Sequence, residues 1–111
     1  MKSLDLKLDP SLRDLFLDAF KKTLLSLGFQ KGEEVRSPDA PDLYEYIHNG
    51  FRILITDREE AGVHKINITS RDGDVLPFVE KTIKALITHI INVFAQQGLK
   101  EIEKFRECIS Q

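Results

Sequence analysis

YEYIHNGFRILI, Tyr44 to Ile55, carries the clearest structural instruction in the chain. Asn-Gly set between alternating residues is the strongest short-range hairpin signal, because a type I′ turn needs positive φ at both central positions. A two-residue turn at Asn49-Gly50 puts His48 opposite Phe51, Tyr46 opposite Ile53 and Tyr44 opposite Ile55. Side chains directly opposite share a face. Tyr44, Tyr46 and His48 therefore lie with Phe51, Ile53 and Ile55. Leu43, Glu45 and Ile47 lie on the other face with Arg52, Leu54 and Thr56.

The next run, VHKINIT, sets His64, Ile66 and Ile68 on one side and Lys65, Asn67 and Thr69 on the other. The aromatic row thus belongs to the more apolar face, and packing against helices is its expected role. A buried tyrosine still needs a partner for its hydroxyl or a route to the sheet margin. The alternative is that Tyr44, Tyr46 and His48 line a ligand pocket between the sheet and a helix over 77–97.

Upstream, QKGEEVRSPDAPD (30–42) is polar, has two prolines, and reads as a long loop. Before it, Leu12, Leu15, Phe16, Ala19, Phe20, Thr23, Leu24 and Leu27 recur at helical spacing and predict a helix over 11–27. Asp9-Pro10 supplies a capping residue and a proline for the first helical position, and Gly28 suits the left-handed residue that ends a helix. Ahead of these, LDLKLD (Leu4 to Asp9) alternates with period two, the pattern of a short strand.

Downstream, Pro77 fits a helix's first turn. Val79, Ile83, Leu86, Ile87, Ile90, Ile91 and Phe94 then form a wide apolar stripe, predicting a helix over 77–97. Leu99, Ile102, Phe105 and Ile109 continue at near-helical spacing as a shorter helix. The expectation is an α+β fold over residues 1–111 as one domain. It consists of an antiparallel three- or four-stranded β-meander with helices packed on one face, in the order (β)-α-β-β-β-α-α.

Composition agrees with a folded globule: of 111 residues, 41% are hydrophobic and 31% charged. The net charge of −2 is spread without any Lys/Arg cluster, and residues 39–76 hold four Lys/Arg against eight Asp/Glu. Binding to nucleic acid or anionic lipid needs concentrated positive charge, so both are disfavoured. The longest nearly uncharged run, ALITHIINVFAQQGL, falls short of a membrane span, and the first residues lack the apolar core of a signal peptide. One cysteine, Cys108, allows no disulfide within a chain and fits a reducing, cytoplasmic setting.

Chemistry-bearing residues are sparse. His48, His64 and His89 lack the spacing of metal ligands, and Cys108 has Glu103 and Glu107 as helical neighbours, which oppose a reactive thiolate. No phosphate-binding, dinucleotide or hydrolase motif occurs. Asp39, Asp42, Asp57, Glu59 and Glu60 fall at one margin of the meander, where a weak Mg²⁺ or Ca²⁺ site competes with the ordinary reading of solvated connections. The expectation is no catalytic residue, no metal and no cofactor.

One surface feature stands out. Leu17 and Leu25 lie off the main stripe of the first helix, and Leu43, Ile47 and Leu54 fall on the sheet face away from the helices. A contiguous aliphatic set of that kind marks a contact surface. The sequence therefore points to a non-catalytic interaction or regulatory module, self-associating or bound to a protein partner. A small-molecule-binding domain is the alternative.

Overall fold

The computed structural model describes residues 3–86 and residue 88. The fold is α+β, with β1 (Ser3–Leu8), α1 (Pro10–Ser26), β2 (Gln30–Ser37), β3 (Ala40–His48), β4 (Phe51–Glu60) and β5 (Val63–Ser70). A second helix, α2, runs through 76–86. The five strands form one antiparallel sheet in the order β1-β5-β4-β3-β2. Expected positions beyond residue 88, namely His89, the end of the 77–97 helix, the shorter helix and Cys108, lie outside the described residues.

The hairpin register follows the Asn-Gly turn. Asn49 (φ 49°) and Gly50 (φ 81°) both take the left-handed conformation. His48 pairs with Phe51, Tyr46 with Ile53 and Tyr44 with Ile55. Tyr44 and Tyr46 are consequently buried with Ile53, Ile55, Ile66 and Ile68. β1 joins the far side of β5, with Leu4 opposite Ile68 and Leu6 opposite Ile66, so its three leucines extend the same inner layer.

Both helices cover that inner face. Asp9 caps α1 by accepting from the Leu12 N–H at 2.9 Å, with Pro10 in the first helical position. At the other end Gly28 adopts φ 95°, and the Phe29 N–H reaches back to the Leu24 carbonyl at 3.0 Å, closing the helix. Asp74 accepts from the Leu76 N–H at 2.9 Å as α2 begins, and Val79, Ile83 and Leu86 face the core. Phe29, Phe51 and Phe78 meet edge to face or tilted, with ring centroids 5.5–6.1 Å apart, and tie the start of β2 to both the sheet and α2. No helix among the described residues is long and apolar enough to cross a membrane.

Three expectations are corrected. Residues 30–42 are not a loop: β2 and β3 form a hairpin with Ser37 opposite Ala40, closed by Pro38 and Asp39. The alternating pattern that announces a strand arises where one face is buried. β2 lies at the sheet edge and is exposed from Gln30 through Arg36, so its sequence had no reason to alternate. The sheet accordingly has five strands, in the order β-α-β-β-β-β-α over the described residues. Leu17 is not on the surface. The buried arc of α1 runs through Leu12, Phe16, Leu17, Phe20, Thr23 and Leu24, turned toward Leu17 and away from Leu15 and Ala19.

Candidate functional site

Of the five margin carboxylates, Asp39, Asp42, Asp57 and Glu59 border one cavity, and Glu60 does not. β4 extends to Glu60 and turns through Ala61 (φ 53°) and Gly62 (φ 78°), so Glu60 pairs with Val63 and Glu59 with His64. Strand alternation then sends Asp57 and Glu59 to the inner face and Glu60 to the outer one. Among the described residues no group of three His, Cys, Asp or Glu side chains is placed to hold a metal ion.

A smaller constellation forms instead. Asp57, whose side chain is 3% exposed, accepts from Arg13 Nε on one oxygen at 2.7 Å and from His64 Nδ1 on the other at 2.9 Å. A carboxylate buried among isoleucines is costly unless paired and hydrogen-bonded, and these two donors meet that need. Arg13 also reaches Asp14 through Nη1 at 2.7 Å. Burial pulls the Arg13 guanidinium down, but its bonds to Asp14 and Asp57 and the charge of Asp57 outweigh that and hold it above its ordinary value. A cavity of about 420 Å³ opens beside this group, bordered by the Pro38–Asp39 turn.

An Asp–His pair positions an imidazole as a base when a nucleophile lies in reach. Ser37 also borders the cavity, but it sits on β2 and His64 on β5, three strands away. At strand spacings of about 4.8 Å that is roughly 14 Å, far beyond a hydrogen bond. The Arg13–Asp57–His64 group therefore joins α1 to β4 and β5. Sequence reasoning missed it because DREEAG, 57–62, reads as a solvated connection, whereas β4 continues to Glu60 and only Ala61 and Gly62 turn. Taking Ala61-Gly62 as a two-residue turn would have placed His64 beside Glu59 and diagonal to Asp57.

The aromatic row is engaged within the fold. Lys21 Nζ lies 3.6 Å from the centre of the Tyr44 ring, and the Arg36 guanidinium stands 5.7 Å away. Burial lowers the Lys21 ammonium below its ordinary value and raises the Tyr46 phenol above its own. His48 Nδ1 lies 2.9 Å from the Gly28 carbonyl, an acceptor only, so that nitrogen carries the proton and donates.

On the outer face the structure gathers Leu43, Ile47 and Leu54, all half-buried, together with Val35, which is 43% exposed and directly opposite Leu43. Leu54 pairs with Glu45 and so lies diagonal to both Leu43 and Ile47. Glu45 bridges its two neighbouring strands: one carboxylate oxygen approaches the Glu33 N–H of β2 at 3.4 Å and the other pairs with Arg52 Nε of β4 at 3.1 Å. It passes over Gly32, where a Cβ would collide with Oε1, so a side chain at Gly32 would displace it. Of the five surface candidates, Leu43, Ile47 and Leu54 come together. Leu25, 51% exposed on α1, sits on the opposite side of the sheet, and Leu17 is in the core.

The chain matches no family model, no curated protein and no solved structure.

Proposed function

We propose that this chain is a non-catalytic interaction module that self-associates through the open face of its sheet. The observation that carries the reading is the contiguous patch Val35–Leu43–Leu54–Ile47 on the face opposite both helices. Apolar surface collected in one place on a sheet face gains from a partner that removes it from water.

A second copy fits this face by charge and by size. Arg52 pairs with Glu45, Lys65 and Arg58 pair with Glu60, and Asp5 accepts from Asn67, so the face has no strong field of either sign to repel its own image. A strongly charged partner such as nucleic acid finds no matching potential there. Five strands about 4.8 Å apart and about 25 Å long offer on the order of 600 Å² per copy, hence roughly 1,200 Å² in all, the lower end of stable interfaces. The reading extends to a cytoplasmic homodimer, supported by the single cysteine.

Leu54→Glu, which adds a second carboxylate directly opposite Glu45 at the middle of the patch, is expected to halve the mass measured by light scattering and leave the circular dichroism spectrum unchanged. A wild-type chain that stays monomeric up to millimolar concentration overturns the proposal, as does a Leu54→Glu variant of unaltered mass.

A further inference from the structure

The two edges of the sheet are built differently. β2 breaks register between Lys31 and Glu34 and again between Val35 and Ser37, and exposes Lys31, Glu33, Glu34 and Arg36. Bulges and charges of this kind discourage strand addition. β1 has no bulge, and its two exposed charges, Asp5 and Lys7, are one of each sign. It pairs with β5 residue for residue from Ser3 to Leu8, contains no proline or glycine, and among the described residues is hydrogen-bonded along one side only.

We infer that β1 is a docking edge for β1 of a second copy, in an antiparallel register centred on Leu6. Only registers that keep inner side chains opposite inner ones preserve the buried layer. Centring on Asp5 sets that carboxylate against its own image, and centring on Lys7 does the same for the ammonium. Centring on Leu6 sets Asp5 opposite Lys7 of the other copy and Lys7 opposite its Asp5, with Leu4 opposite Leu8. The segment Leu4-Asp5-Leu6-Lys7-Leu8, apolar positions symmetric and charges opposite about Leu6, is thus self-complementary in both charge and burial.

The product is a continuous ten-stranded sheet across two copies. This contact is independent of the open-face patch, and a chain using both closes as a tetramer with three perpendicular twofold axes.

The register makes an exchange test possible. Asp5→Lys and Lys7→Glu, each alone, set like charges opposite one another at both symmetry-related places. Each is expected to weaken association by about tenfold or more in sedimentation and to halve the mass. An equimolar mixture of the two variants restores both opposite-charge pairs, so the mass should return; the double variant Asp5→Lys/Lys7→Glu should also retain it. Leu54→Glu leaves this behaviour intact, which separates failure of the edge from failure of the open face. Single variants that keep the wild-type mass overturn the inference, as does a mixture that recovers nothing. Should a single variant not fold, amide exchange along wild-type β1, Leu4 to Leu8, decides: slowing of its alternate, outward-facing amides with protein concentration supports the edge contact, and exchange independent of concentration throughout overturns it.

Discussion

Arg13 of α1 and Asp57 of β4, 44 positions apart in the chain, meet at 2.7 Å through Nε and Oδ2. The carboxylate is 3% exposed and the guanidinium 23%. Removing one member of a fully buried pair costs about 3–5 kcal/mol; here Asp57 would keep His64 and Arg13 would keep Asp14. Because Arg13 reaches solvent, Arg13→Leu is expected to cost less, roughly 2–3 kcal/mol in urea unfolding. Replacing both, as Arg13→Leu/Asp57→Leu, should cost clearly less than the two single changes added together. Additive losses would mean the two side chains stabilise the fold separately rather than as a pair.

Two glycines with similar backbone angles make a controlled comparison. Gly28 and Gly50 take φ of 95° and 81°, where an alanine incurs backbone strain of about 1–2 kcal/mol. At Gly50 an added Cβ meets nothing within 4 Å. At Gly28 it comes within 3.0 Å of the His48 ring, which the Gly28 carbonyl itself holds in place. Gly28→Ala should therefore lower the melting temperature more than Gly50→Ala does, and His48→Ala in the Gly28→Ala background should narrow the difference. Equal losses would show that the ring moves aside freely.

What the sequence disclosed depended on whether burial had shaped it. The Asn49-Gly50 turn gave the β3–β4 register residue by residue, and the stripe over 11–27 located α1 to within a residue, because both patterns record which side faces the core. β2 escaped notice because neither of its faces is buried, and its one aliphatic residue, Val35, points outward. The pairing of β1 with β5 is a long-range choice that no local pattern encodes. Leu17 was misplaced because the stripe holds more apolar positions than α1 buries against the sheet. Leu15 and Ala19, which left it out, border a groove with Ala85 and Leu86 of α2 instead. The candidate surface was legible wherever the hairpin register determined it, at Leu43, Ile47 and Leu54, and failed on the helix.

Acid should weaken the fold through two exposed pairs. Hydrogen bonding and charge from Lys31 hold the Glu34 carboxyl below its ordinary value, and Lys65 does the same for Glu60. The pairs measure 2.8 Å and 2.6 Å. A carboxyl whose folded value lies below its unfolded one adds stability above the unfolded value, about 4.3 for glutamate, and loses it as pH falls through the folded one. Stability should thus decline as pH drops below about 4.3. Both carboxylates stand in solvent, so about 1 M salt, where the screening length is about 3 Å, should flatten part of that decline. Urea midpoints at pH 6 and pH 3, at low and high salt, measure it. In Glu34→Gln/Glu60→Gln the fall between the two pH values should be smaller and less sensitive to salt; a fall as steep as in the wild type would assign acid sensitivity to other carboxylates.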